Sequence, residues 1–540
     1  MKKQKIGALL LALSLSMSMF SGCNITIFNG TIFNGNNDNN SSSFNSNNDN
    51  SNSTQDSSTT SSVGNSTSEE THEHAFGEEW KTNSSSHWHI CECGEKAEIE
   101  KHNGGEATCT EKAVCAVCGK EYGKVTGHTY GELTDLEEGV KGYACDCGEN
   151  IPLLSTENEA GYREGGLVDF VVEVEEGRAP VILQLSDTQF TDNQMEEKCF
   201  KYVRETVEAV KPDLILVTGD LVYGRFDKMG TLFTNFIQKM EEFKIPWAPV
   251  FGNHDNECWL GVDWQCEQLE AAEYCLFEQG NITGNGNYTV GILQGNELLR
   301  VFYMMDTNGC SSPMVTGDGN YTQSNPDVKP GTNKVKTSAG FESDQVAWFS
   351  SSMEDVAEVS PSTKLSVAYH IQQAYFLKAY QQYGYSSALK SGSNSELKYA
   401  LNFDAKKIIN TEDWTVKEEL EVKDGDIGLL GRTMKGPWDT TYSIFATMKK
   451  LGVDSIFCGH EHCNSASVVY DGIRFQFAQK SSTYDRYNSL NSQGHIIGSY
   501  SNAGTPLIGG TAFSLSQEDG TIINPYIYLY GDPLGLNPKK

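Results

Sequence analysis

Residues 181–189 read VILQLSDTQ, and residues 214–220 read LILVTGD. Each starts as a short, β-rich apolar run and delivers a carboxylate just past its end. Between them, NQMEEKCFKYVRETVEAVKP (193–212) sets Tyr202, Val203, Val207 and Val210 at helical spacing. Strand, helix, strand in this order predicts a layered α/β domain. The pattern continues outward. WAPVF (247–251) runs into Gly252-Asn253-His254-Asp255, KLSVAY (364–369) into His370, and DSIFC (454–458) into Gly459-His460-Glu461-His462. LRVFYMM (299–305) reads as a further strand, and INPYIYLY near the C-terminus as one that completes the sheet. Five apolar strands thus present oxygen or nitrogen donors at their C-terminal ends, the edge where such sheets collect ligands. Packing of a core does not by itself place Asp187, Asp220, Asn253, His370, His460 and His462 there.

The chain has 540 residues, room for about three domains. Its formal charge of −31 and pI near 4.7 argue against coating a nucleic acid, because an acidic surface repels a polyanion. Beyond the N-terminus no run approaches the roughly 20 apolar residues of a spanning helix, which excludes a multi-pass membrane protein.

Asp187-x-Gln189, Gly219-Asp220, Gly252-Asn253-His254-Asp255, the lone His370 and Gly459-His460-x-His462 together resemble the signature of the calcineurin-like metallophosphoesterases: D-x-H, GD, GNH(D/E), His, GHxH. The stretch from Leu429 through GHEHCN is similar to the purple-acid-phosphatase-like subgroup. The resemblance implies a four-layer α/β/β/α sandwich over 160–540 with a pair of metal ions (Mn, Fe or Zn, divalent or mixed-valence). One ion would be held by Asp187, Asp220, His462 and the residue at 189. The other would be held by Asp220, Asn253, His370 and His460, with Asp220 bridging. It implies phosphate-ester hydrolysis by a hydroxide bridging the two ions, with monoesters favoured over diesters. His254 would serve the leaving oxygen, oriented by Asp255.

Gln189 departs from the family histidine, and a neutral amide is a weaker ligand than imidazole. Tyr223 is the alternative, since Asp220-Leu-Val-Tyr223 fits the GD-x-x-Y spacing of purple acid phosphatases. Arg225, Arg432 and Arg486 are candidate phosphate contacts, and the 256–298 insert is a candidate roof. A second reading is a surface binding protein whose phosphoesterase fold is weak or inactive.

The N-terminal part reads differently. Residues 1–23 carry Lys2, Lys3 and Lys5, then an apolar stretch to Phe20, then Ser21-Gly22-Cys23. This resembles a bacterial lipoprotein signal with Cys23 as the lipidated residue, although Phe20 stands where Leu is usual. It implies an extracytoplasmic protein anchored to the outer face of the cell membrane, or a secreted one. Residues 24–70, dominated by Asn, Ser, Gly and Thr, cannot bury enough apolar surface to offset chain ordering and read as a disordered tether.

Residues 71–150 hold seven cysteines and six histidines in a loose repeat. The spacing predicts structural zinc, with one site made of Cys109, Cys115, Cys118 and His128. A second would use Cys91, Cys93 and His102 with one of His74, His87 or His89, and Cys145 and Cys147 would form a third, incomplete copy with His128 or with no histidine. Disulfides are the competing possibility in an oxidising compartment. The segment resembles zinc-ribbon-like repeats of bacterial surface proteins, which implies a structural or adhesive role toward a surface partner.

Overall fold

The computed structural model describes residues 73–137, 139–309, 338–383, 399–401, 407–410, 416–430, 438–439, 443–481, 489–490, 492, 496–497, 505–535 and 537–538. The signal stretch 1–23 with Cys23, the tether 24–70, Arg432 and Arg486 lie outside them. No helix among the described residues is long and apolar enough to cross a membrane.

Two sheets form the body of the molecule. The first orders five strands as β4-β3-β2-β11-β12, where β2 is Val181–Leu185, β3 Leu214–Thr218, β4 Trp247–Val250, β11 Gly509–Leu515 and β12 Ile522–Leu529. The strands β2, β3 and β4 run parallel, and β11 and β12 add antiparallel partners. The second orders seven as β1-β5-β6-β7-β8-β10-β9. Here β1 is Phe170–Val174, β5 Tyr288–Gln294, β6 Glu297–Met304, β7 Lys364–Ala368, β8 Val453–Cys458, β9 Ser467–Tyr470 and β10 Ile473–Phe477. Its centre, β6-β7-β8-β10, is parallel.

The parallel strands read as unbroken apolar runs because both of their faces are covered. Every residue of Leu214–Thr218 is buried. Between the sheets, Phe302, Met304, Ala368 and Phe457 share one apolar cluster with Leu183, Leu185, Ala512 and Phe513. Phe457 stacks on Phe513 at 5.2 Å between ring centroids, tying the two sheets together. On the outer face of the first sheet lie α1 (Asn193–Val210), α2 (Thr231–Glu241) and α3 (Val262–Glu270). On that of the second lie α4 (Ser343–Val359), α5 (Tyr375–Gln381) and α6 (Ser443–Lys450). This is the α/β/β/α layering the motifs imply.

Helix α1 begins where the Asp192 carboxylate accepts the N–H groups of Gln194 and Met195, and it ends at Lys211 in the left-handed conformation. Its Phe200, Val203, Val207 and Val210 are buried against the sheet, while Tyr202 is half-buried beside Tyr530. The 256–298 insert is only partly a surface feature, because its last residues form β5 inside the seven-stranded sheet.

The Cys/His segment folds into short antiparallel hairpins, including Ser86–Ile90 with Lys96–Lys101 and Val140–Ala144 with Asn150–Pro152. Leu133, Tyr143 and Leu153 join the apolar cluster under α4–α6, so the last hairpin is docked onto the α/β body.

Candidate metal centre

The loops after β2, β3, β4, β7 and β8 converge. Asp187 and Gln189 leave β2, Asp220 leaves β3, Asn253 and His254 leave β4, His370 follows β7, and His460 and His462 follow β8. Asp187, Gln189, Asp220 and His460 all have positive φ (55°, 39°, 54° and 70°), a backbone state that side-chain-bearing residues rarely adopt. Such strain clusters where the surroundings hold a functional geometry in place. Gly252 allows a close approach: a Cβ there would collide with the Asp220 carboxylate Oδ1 and with the Asp220 backbone nitrogen.

Two trios of donor atoms result, each with all ligand atoms within 4.8 Å of one another: Asp187, Asp220 and His462, and Asp220, His370 and His460. Asp220 belongs to both. His370 donates its Nδ1–H to the Thr218 carbonyl at 2.8 Å, which turns the Nε2 lone pair toward Asp220 Oδ2, 3.3 Å away. His462 Nε2 faces Asp187 Oδ1 at 3.1 Å. Lone pair facing lone pair at these distances is repulsive unless a proton or a cation lies between.

The electrostatics agree. Burial works against the charge of Asp220, but His370 and His254 outweigh it and hold the carboxyl well below its ordinary range. Burial likewise opposes a charge on His370, yet Asp220 raises it to about 9; the proton there plays the part a cation would. His460 is pushed down to about 3 by burial and by His370, leaving a neutral imidazole ready to ligate. Buried carboxylates and imidazoles in this arrangement fit a pair of Mn, Fe or Zn ions.

Gln189 lies against the same centre, its amide nitrogen hydrogen-bonded to Asp220 Oδ2. The two amide ends are interchangeable by a flip, so a carbonyl ligand at 189 is compatible with this placement. The Tyr223 hydroxyl instead accepts a hydrogen bond from Arg225 at 2.7 Å, and its ring lies on the His254 imidazole with centroids 3.8 Å apart.

Asp255 has a different place from the one its sequence neighbourhood suggests. It is buried and accepts the backbone N–H groups of Gly252 (2.8 Å) and Val222 (3.2 Å), shaping the loop rather than facing the imidazole. The carboxylate at His254 is Glu257, whose Oε2 lies 3.2 Å from Nδ1 and 3.8 Å from Arg225 Nε. A short 3-10 turn over Asp255–Glu257 brings position 257 back beneath 254. That turn was the missing signal, since in sequence Asp255 is the nearer acid.

Residues 180–370 match the family of calcineurin-like phosphoesterases. Within residues 180–370 the chain carries a calcineurin-like phosphoesterase domain. Over 272 residues, 50% of this chain and 39% of the relative, it is 25% identical to "Phosphatase DCR2" of Saccharomyces cerevisiae. It thus spans about two fifths of that relative's length. Over 62 residues, 11% of this chain and 15% of the relative, it is 40% identical to "Probable inactive purple acid phosphatase 28" of Arabidopsis thaliana. Among solved structures, a dimetal phosphatase from Danio rerio aligns with 65% of this chain and 95% of its own at 9% identity and a TM-score of 0.34.

The Cys/His segment assembles sets other than those its spacing predicts. His102 joins His87, Cys115 and Cys118 rather than Cys91 and Cys93. Cys109 and His128 join Cys145 and Cys147 rather than Cys115 and Cys118, and Cys91 and Cys93 keep, among the described residues, His74. The reason is strand pairing. Hairpin formation brings residues of successive repeats together, so the nearest cysteine in sequence is not the nearest in space.

Proposed function

We propose that this protein is an extracytoplasmic, metal-dependent hydrolase of phosphate esters, with monoesters its favoured substrates. The observation that carries the reading is the sharing of Asp220 between two largely buried donor sets. One ion would be held by Asp187, Gln189, Asp220 and His462, the other by Asp220, Asn253, His370 and His460. Bound there, the pair supplies the Lewis acidity that activates water and neutralises charge on the phosphate oxygens.

The chain's own residues do the rest. Asp220 also accepts the His254 backbone N–H at 2.8 Å, fixing that residue beside the ions. Glu257 favours a proton on His254 Nδ1, which leaves Nε2 to serve the leaving oxygen as proton donor. Arg225, braced by Tyr223 and Glu257, adds a cation at the same edge for a phosphate oxygen. Outside the described residues, the lipoprotein-like stretch ending at Cys23 supports export and a lipid anchor. Loss of detergent-phase partitioning in Cys23→Ser would support that anchor, and unchanged partitioning would oppose it.

The test is hydrolysis of a chromogenic phosphomonoester and a diester by the purified full chain after loading with Mn, Fe or Zn. Metal-dependent turnover that falls to background in Asp220→Asn supports the enzyme. A second reading, a surface binding protein with a feeble catalytic domain, is favoured by Gln189 in place of a histidine. Absence of turnover with every metal would oppose the enzyme and support that alternative.

A further inference from the structure

The hairpins at 74–128 have almost no apolar core. From His74 to His128 the buried apolar side chains among the described residues are Cys91, Cys115 and Ala113. A unit so small needs a cross-link of another kind. Cys109, Cys115, Cys118, Cys145 and Cys147 do not supply disulfides: each is a free thiol. Cys109 and Cys145 lie 3.6 Å apart between sulfurs, against about 2.05 Å for an S–S bond.

The spacings have another meaning. Ligands on a tetrahedral zinc, with Zn–S about 2.3 Å and Zn–N about 2.05 Å, stand about 3.8 Å apart for two sulfurs and about 3.6 Å for sulfur and nitrogen. Cys109 and Cys145 match the first distance. His87 Nδ1 and Cys115 Sγ at 3.7 Å, His102 Nδ1 and Cys118 Sγ at 3.5 Å, and His128 Nδ1 and Cys147 Sγ at 3.3 Å match the second.

The surroundings orient the same atoms. His102 Nε2 is 2.9 Å from the Asn83 carbonyl, and a donor there leaves Nδ1 as the lone pair facing Cys118. The backbone N–H groups of Val117 and Cys118 point at the Cys115 sulfur. In both sets a left-handed glycine donates its N–H to a cysteine carbonyl, Gly119 to Cys115 and Gly148 to Cys145, each at 2.9 Å, and Gly94 with Cys91 repeats the second turn at 2.8 Å.

We propose that residues 74–150 hold two soft divalent cations of the zinc class in interlocked sites, His87/His102/Cys115/Cys118 and Cys109/His128/Cys145/Cys147, whose ligands are exchanged between successive repeats. Within each set all four ligand atoms lie within 4.8 Å of one another. Because Cys109 precedes Cys115 and Cys118 yet belongs to the later set, the two ions lace successive hairpins together. The second set connects directly to the hairpin docked on the α/β body. His74, Cys91 and Cys93 repeat the His128, Cys145, Cys147 spacing 54 residues earlier, and the position matching Cys109 is Gln55. Among the described residues that set therefore offers three ligands.

The proposal is independent of the catalytic centre, whose ligands include no thiolate, so a thiolate-specific readout separates the two. The reduced full chain is loaded with cobalt(II) alone, and thiolate-to-cobalt charge-transfer absorption is followed together with protection of each cysteine from alkylation. The expected result is strong absorption, with Cys109 protection lost in Cys145→Ser and retained in Cys115→Ser. Protection of Cys118 should follow the opposite pattern. Cys145→His, which keeps a ligand, should retain Cys109 protection and guards against simple unfolding. Absence of thiolate-to-cobalt absorption, or Cys109 protection that follows Cys115 instead of Cys145, would overturn the proposal.

Discussion

His254 Nδ1 faces the buried Glu257 carboxylate at 3.2 Å, and the same carboxylate lies 3.8 Å from Arg225 Nε. One acid therefore positions both the proposed proton donor and the cation beside it. His254→Ala should lower kcat by about 10²–10⁴-fold, the usual worth of a positioned acid. Glu257→Gln keeps the shape and loses the charge, so its loss should be smaller, about tenfold, and fall on kcat more than on KM. Steady-state kinetics on a phosphomonoester separates the two parameters. An unchanged kcat in Glu257→Gln would remove Glu257 from the account.

Asp255 should behave as a structural residue. Its carboxylate accepts two buried backbone N–H groups, and leaving them unpaired costs about 1–3 kcal/mol per group. Asp255→Ala is expected to lower the urea midpoint clearly. Asp255→Asn, which still offers an acceptor, should lower it less.

At position 252 a methyl group would meet Asp220 Oδ1. Gly252→Ala should therefore displace the shared carboxylate and cut metal content and turnover together, with the far-ultraviolet circular dichroism unchanged. Full metal content in this variant would show that the loop yields instead.

Burial pushes Glu278 up to about 7, against the backbone N–H of Arg163 that favours its charge. A carboxyl whose folded value lies above its unfolded one, near 4.5, contributes stability fully below that unfolded value and loses it as pH rises toward about 7. Glu278→Gln should flatten the fall in thermal midpoint between these two pH values. Parallel curves for the two proteins would contradict this assignment.

Arg300 is wholly buried and bonds Asp454, Ser366, Ser455 and the Gly520 carbonyl, joining β6, β7 and β8. Truncating it to Ala strands those acceptors and should cost about 3 kcal/mol in urea unfolding, the lower end for a broken buried pair because Asp454 keeps some solvent.

Much of this architecture is legible in the sequence because its strongest signals coincide. The strands β2, β3, β4, β7 and β8 are apolar enough to be buried on both faces, and each carries its polar ligand immediately past the last apolar residue. Strand β5 was less visible, since Tyr288–Gln294 mixes Thr, Gly and Gln into a run whose burial comes from its neighbours. Glu257 was hidden by a single turn of 3-10 helix. The Cys/His sets differ from their spacing for a related reason. Spacing ranks ligands by separation along the chain, whereas hairpin pairing carries Cys109 past Cys115 and Cys118 to Cys145 and Cys147.

The central claim, a carboxylate at Asp220 shared by two ions, is tested most directly by anomalous diffraction from crystals of the full chain loaded with manganese. The account predicts two peaks about 3.5–4 Å apart on either side of the Asp220 carboxylate. A single peak, or two peaks that do not share Asp220, would contradict it.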